Sequence, residues 1–232
     1  MKILASDFDK TLFTKDYLKN IRKINEFVDK GNIFIIVTGR NITHLKPDIK
    51  GYNLKYDYLI CNDGGIIFDK NNKVIFRKDI DPSLVKTIYD ILEEEENMIF
   101  VAIDNSIAYV NDTKDLANAI IGIPKDVEKA YNLLQDILNK FPNVHGYISD
   151  RWLNITNKEV NKGNSLKYIQ KLLDVPNDDI YTIGDNINDI SMNQLYNGYA
   201  MEHSHSELIK ISKGTIKSVS DLIDVIYESN NN

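Results

Sequence analysis

Apolar positions along this chain follow two rhythms, unbroken short runs and helical spacing. Lys2 to Ser6 is a short β-type run that ends at Asp7. From Asp16 to Lys30 the apolar residues Leu18, Ile21, Ile24, Phe27 and Val28 share one helical face, and Gly31 stops the pattern. NIFIIVTGR is a continuous apolar run of strand length ending at Thr38 and Gly39, followed by a helix-like stretch from Ile42 to Pro47 and another strand in YDYLICND. Strands alternating with helices predict a parallel sheet covered by helices, and uniformly apolar strands predict burial on both faces.

From about Ile66 the rhythm changes. IIFDKNNKVIFRKDI alternates around Asn71 and Asn72 and predicts a hairpin. A helix is expected from Pro82 to Glu96, a second hairpin in MIFVAIDNSIAYVND with its turn at Asp104 to Ser106, an amphipathic helix in VEKAYNLLQDILNKF and a strand pair in NVHGYISDRWLNITN. The first rhythm then returns: a helix from Gly163 to Leu173, a buried strand in DDIYTIGDN, a helix starting at Asp189, a short strand in NGYAM and a last helix from Ser218 to Ser229, before an asparagine tail expected to fray. The fold class expected is α/β, a doubly wound parallel-sheet (Rossmann-like) core interrupted by an α+β cap. The expected boundaries are core 1–81, cap 82–156 and core 157–232.

Composition adds bounds. At 232 residues, 43% hydrophobic and 27% charged, the chain can bury a sizeable core. A net charge of −6 with no basic stripe argues against nucleic acid as a partner. No apolar run of about 18 residues occurs, so no membrane span is expected. The N-terminus does not have the form of a signal peptide. The single cysteine, Cys61, forms no internal disulfide and reads as a buried, inert thiol, which fits a reducing, cytoplasmic setting. No exposed apolar stripe announces an oligomer, so a monomer is expected.

Ligands of open parallel sheets bind beyond the carboxyl ends of the strands. Here those ends carry Asp7 and Asp9, then Thr38 and Gly39, then Asp185, Asn188 and Asp189 in GDNIND, with Lys162 ahead of the Gly163 helix. Four carboxylates at one edge repel and raise each other's pKa. A divalent cation relieves this, and oxygen-only ligands suit Mg²⁺. Such a metal with a lysine and small hydroxyl and amide donors forms a site for a phosphoryl group. Asp7 can attack phosphorus, and Asp9 can protonate the leaving oxygen and then take a proton from water.

DFDKTL resembles the DxDxT signature of the haloacid dehalogenase superfamily of phosphohydrolases. Thr38 with Gly39 and Arg40 resembles its second motif, Lys162–Gly163 its third, and GDNIND with Met192 its fourth. The large insert between the second and third motifs resembles the Cof-type subfamily, whose cap is an α+β unit of C2 type. The resemblance implies Asp7 as nucleophile and Mg²⁺ ligand, Asp9 as acid/base giving its backbone carbonyl to the metal, and Asp185 as the other direct carboxylate ligand. It implies that Asp189 and Asn188 act through metal-bound water or by orienting neighbours. Thr38 and the Gly39 amide would bind phosphoryl oxygens, and Lys162 would offset charge. Two departures stand out: AMEHSHSE replaces AMGNA, and NDGG at Asn62 to Gly65 replaces NGA. The cap is also short.

The expected function is a Mg²⁺-dependent phosphatase of small phosphorylated metabolites, sugar phosphates first. A phosphotransferase or phosphomutase shares the same site. A receiver-type phospho-accepting module is the alternative from another class, but it is about half this length. In the cap, Asp150, Arg151 and Trp152 sit at a hairpin turn that in relatives hangs over the site. There Arg151 would pair with a substrate anion and Trp152 would pack on a sugar face. His203 and His205 read as a surface loop, and His44 and His145 have no visible partners in the sequence.

Overall fold

The computed structural model describes residues 1–114 and 116–229. The fraying expected of the asparagine tail concerns residues 230–232, which lie outside the described residues. In chain order the elements are β1 (Ile3–Asp7), α1 (Tyr17–Asp29), β2 (Ile33–Val37), α2 (Ile42–Lys50), β3 (Tyr58–Cys61), β4 (Ile66–Asp69) and β5 (Val74–Arg77). There follow α3 (Pro82–Glu93), β6 (Met98–Asp104), β7 (Tyr109–Val110), β8 (Ala119–Pro124), α4 (Val127–Lys140), β9 (Val144–Ser149) and β10 (Trp152–Asn157). The chain closes with α5 (Lys162–Leu173), β11 (Ile180–Gly184), α6 (Ile190–Asn193), β12 (Asn197–Met201), α7 (Ser206–Ile211), β13 (Thr215–Ile216) and α8 (Val219–Glu228).

Two sheets result. The larger runs β13-β12-β11-β1-β2-β3-β4-β5. Its strands pair in parallel from β13 through β3, and the β4–β5 hairpin extends it antiparallel at the β3 edge. The smaller sheet is antiparallel in the order β7-β6-β8-β10-β9. The expected α/β core with a separate α+β unit is therefore what forms.

Burial follows the sequence pattern. Each residue of β1 is buried, because its two faces pack on two apolar clusters. One holds Leu4, Phe8, Ile24, Phe34 and Ile223, the other Ile3, Ala5, Ile35, Ile60 and Ile169. The smaller sheet has its own core, with Val85, Ile88, Ile103, Leu134, Ile148 and Leu153 under α3 and α4.

Some elements escape the sequence pattern. β8 lies in AIIGIP, where Gly122 and Pro124 mask an apolar strand that pairs with both β6 and β10. Helix α2 runs past Pro47 to Lys50, whereas α3 stops at Glu93, the first residue of the glutamate run. The two-residue strand β13 and the six-residue helix α7 are too short to carry periodicity. Cys61 is fully buried as expected, and burial pushes its thiol pKa up.

Polar groups that reach the interior are paired. Asn20 on α1 is buried, donating to the Leu12 carbonyl at 3.2 Å and accepting from the Ser220 amide at 3.1 Å. It thereby ties the loop after β1 to α8. Asn20→Ala leaves both backbone groups unsatisfied. The expected cost is about 1–3 kcal/mol, read as a lower urea midpoint at unchanged m-value.

Candidate active site

The strand order decides which residues meet. β1 is central, between β11 and β2, and all three run parallel. Their carboxyl ends deliver Asp7, the Gly184–Asp185 turn and the Thr38–Gly39 turn to one edge of the sheet.

Lys162 opens α5 from below this edge, with its ammonium 1% exposed. It donates to Asp7 Oδ1 and to Asp189 Oδ1, both at 2.6 Å. Asp189 Oδ2 accepts from the amides of Asp185 at 2.9 Å and Asn186 at 3.0 Å. Both oxygens of Asp189 are thus engaged, and its carboxylate holds the Asp185 turn in shape. Gly184 is required here, since a Cβ at that position would lie 2.3 Å from the Asp189 carboxyl carbon. Thr11 donates to Asp185 Oδ1 at 3.2 Å.

Oxygens of Asp7, Asp185 and Asp189 lie within 4.8 Å of one another. Burial, opposed by Lys162 and reinforced by the neighbouring carboxylates, raises the pKa of Asp7 well above the ordinary carboxylate value. Burial and Asp189 raise Asp185 likewise. Lys162 itself is pushed up, because the attraction of Asp189 and Asp7 outweighs its desolvation. One ammonium facing three carboxylates leaves negative charge uncompensated. This oxygen-only donor set, with the two cavity-lining carboxylates Asp7 and Asp185 at its front, fits a Mg²⁺ ion.

The profile of the haloacid dehalogenase-like hydrolases matches residues 4–119 and 110–228. The chain belongs to this family. A Mycoplasma capricolum subsp. capricolum protein, named only as uncharacterized, is 30% identical over 266 aligned positions, covering 98% of each chain. The 5-amino-6-(5-phospho-D-ribitylamino)uracil phosphatase YcsE of Bacillus subtilis is 23% identical over 208 positions, covering 83% of this chain and 80% of that protein. Among solved structures, the subclass IIB sugar phosphatase BT4131 superposes with a TM-score of 0.77 at 16% identity, covering 99% of each chain, and this likeness bears on the fold.

In this hydrolase the edge opens into a cavity of about 460 Å³ between the two sheets. Asp7, Asp9, Gly39, Asp185 and Asn188 line it. Thr38, Lys162 and Asp189 are buried just behind that lining. Thr38 Oγ1 accepts from the Arg40 amide at 3.1 Å. Arg151 is exposed and does not line the cavity, whereas its neighbours Asp150 and Trp152 do. Asp9 is held in a fork by Arg40, at 2.8 Å from Nε and 2.5 Å from Nη2. Asp48 at 2.6 Å and the Phe8 ring at 5.1 Å fix the guanidinium in turn.

Several participants were not singled out from the sequence. Asp63, in the NDGG departure, accepts from Asn188 Nδ2 at 2.8 Å and from the Tyr147 hydroxyl of β9. Asn62 and Asp63 both take the left-handed conformation at φ 51°, and Gly64 follows at φ 109°. Asn186 Nδ2 reaches Ser149 at 3.1 Å, and Lys10 pairs with Asp150 at 2.9 Å. These contacts join the large sheet to the small one. The Glu202–His205 loop braces the Gly184–Asp185 turn from behind: Ser204 Oγ donates to the Gly184 carbonyl at 3.1 Å, and the His205 amide donates to the Asp185 carbonyl at 2.9 Å. His205 Nδ1 also accepts from the Glu207 amide at 3.3 Å, capping α7.

Lys162→Met keeps length and removes the only cation that touches Asp7 and Asp189 among the described residues. Two buried carboxylates then face each other without it. Destabilisation of the metal-free protein by about 3–5 kcal/mol is expected, read by urea unfolding.

Proposed function

We propose that this hydrolase is a Mg²⁺-dependent phosphatase of small phosphorylated metabolites, sugar phosphates first, working through an aspartyl-phosphate on Asp7. The observation that carries the reading is the convergence of Asp7 and Asp185 beside Lys162 at the floor of the cavity. The phosphatase activities named for YcsE and BT4131 support it. The enclosing second sheet favours an enzyme over a phospho-accepting signalling module.

Asp7 and Asp185, with the Asp9 backbone carbonyl, would hold Mg²⁺, which supplies charge neutralisation and alignment for the phosphoryl group. Asp189, with both oxygens engaged, orients Lys162 and the Asp185 turn. Lys162 fixes Asp7 Oδ1 and leaves Oδ2 to attack. That oxygen bonds to phosphorus as the ester P–O bond breaks, and Asp9 gives its proton to the departing alkoxide. Water, losing a proton to Asp9, then displaces the Asp7 carboxylate and releases inorganic phosphate. The Gly39 amide and the Thr38 hydroxyl would bind phosphoryl oxygens, and Asn188 holds Asp63 beside Gly39. Asp9 does its acid work only after leaving the Arg40 fork, so a substrate that enters must exchange that ion pair for its own contacts.

With Mg²⁺, p-nitrophenyl phosphate is expected to be hydrolysed and Asp7→Asn to abolish the reaction; turnover that survives Asp7→Asn rules out the covalent route. Asp9→Asn lowers kcat by roughly 10²–10⁴-fold on alkyl phosphates, and much less on p-nitrophenyl phosphate, whose leaving group needs no proton. Equal losses on both esters remove the acid role.

Mg²⁺ added to the metal-free protein raises Tm. A free concentration of 100 times Kd corresponds to about 2.7 kcal/mol. Asp185→Asn is expected to raise the metal-free Tm by relieving repulsion and to cancel most of the Mg²⁺ increment. A full increment in that variant excludes Asp185 as a ligand.

A further inference from the structure

The far wall of the cavity carries a carboxylate that the hydrolytic steps do not use. Asp104, at the end of β6, is 2% exposed and lines the cavity. Its Oδ1 accepts from the Ser106 amide at 2.7 Å and its Oδ2 from Asn41 Nδ2 at 3.1 Å. The Asn62 side chain bonds it as well, and all three donors are neutral. The His44 imidazole faces it but forms no ion pair with it among the described residues. Burial raises its pKa, and neither Lys10 nor Arg40 of the cavity lining pairs with it.

A second observation points the same way. Asn62, 3% exposed, also lines the cavity, and its Oδ1 has no hydrogen-bond partner. Beside these acceptors stands an aromatic wall. Tyr109 and Trp152 lie 6.5 Å apart between ring centroids, and His44 meets Tyr109 edge-on at 4.6 Å. Ala119 and Ile121 complete an apolar strip. Of the basic side chains lining the cavity, Lys10 and Arg40 are already paired with Asp150 and with Asp9 and Asp48, and the His44 imidazole stands beside Asp104. An anionic second group on a ligand would find no unpaired lysine or arginine here, whereas an ammonium would find a carboxylate, an amide oxygen and π faces.

We propose that the alcohol released by this enzyme carries a basic amine, bound as an ammonium by Asp104 and Asn62 against Tyr109 and Trp152. The inference rests on the phosphatase reading and narrows its substrate class to phosphate monoesters of amino sugars or amino alcohols.

The test compares kcat/KM with Mg²⁺ for glucosamine 6-phosphate against glucose 6-phosphate and N-acetylglucosamine 6-phosphate, and for phosphoethanolamine against ethylene glycol monophosphate. At least one amine ester is expected to exceed its neutral partner by about tenfold or more. Asp104→Asn is expected to bring that ratio to about one. Tyr109→Leu, which leaves the carboxylate network intact, is expected to lower it severalfold and serves as the reading if Asp104→Asn does not fold. Amine esters no better than neutral ones in both series, or a preference that survives the substitutions, overturn the proposal while p-nitrophenyl phosphate hydrolysis leaves the phosphatase reading standing. Absence of hydrolysis on every ester, p-nitrophenyl phosphate included, overturns both.

Discussion

Crowded carboxylates at the carboxyl edge of the parallel sheet are the constraint around which the rest is arranged. Like charges in a buried site cannot all ionise without compensation. The fold answers with a single lysine shared between Asp7 and Asp189, at 2.6 Å from each. That ammonium is fully desolvated, so it holds only because both partners attract it. Glycine at 184 lets Asp189 fold back under the turn, and the two amides it accepts lock Asp185 forward. A buried ion pair of this kind contributes little net stability. It sets geometry instead, leaving two carboxylates aimed into the cavity with negative charge to spare.

The seam between the two sheets is joined by polar contacts alongside the His44–Tyr109 ring contact. Tyr147 to Asp63, Asn186 to Ser149, Asn41 to Asp104 and Lys10 to Asp150 all cross it. The Lys10–Asp150 pair is well exposed, so solvent screens it and it adds little. The buried contacts matter more, because parting the sheets would expose donors and acceptors that water can satisfy. A seam of hydrogen bonds is cheaper to open than one of apolar contacts, which suits a cavity that must admit and release a ligand.

Much of this was legible in the sequence, and the reasons are physical. Asp7, Thr38 and Asp185 lie where apolar strands end, and parallel strands put all such ends on one edge. Their convergence follows from topology alone. Lys162 was legible from its place at a helix start, though not its burial. Pairings across the seam were not legible: Tyr147 and Asp63 are 84 residues apart, and nothing local links a hairpin tyrosine to a loop aspartate. The Arg40 fork on Asp9 depends on rotamers, which spacing does not encode. Arg151 shows the limit of hairpin arguments. Asp150 and Trp152 on either side of it line the cavity while Arg151 is exposed, and which residue of a two-residue turn faces inward is not encoded in spacing. β8 was hidden because its glycine and proline imitate a loop, although it is a paired strand that joins β6 to β10.

Charge balance links the two ends of the cavity. Asp7, Asp9, Asp63, Asp104, Asp150 and Asp185 line it, against the basic residues Lys10, Arg40 and His44. Lys10 and Arg40 answer Asp150 and Asp9. A divalent cation at Asp7 and Asp185 would cancel those two charges, and the phosphoryl group would bring fresh negative charge to the same end. Asp63 is stabilised by the neutral donors of Tyr147 and Asn188, and Asp104 by those of Asn41 and Ser106. Hydrogen bonds from neutral donors stabilise a carboxylate without neutralising the field it projects. On the proposed reading the phosphoryl end would draw positive charge from a metal, while the Asp104 end, with only the His44 imidazole nearby, would draw it from the ligand. Under that proposal such a cavity would sort phosphate esters by the charge on the group they release.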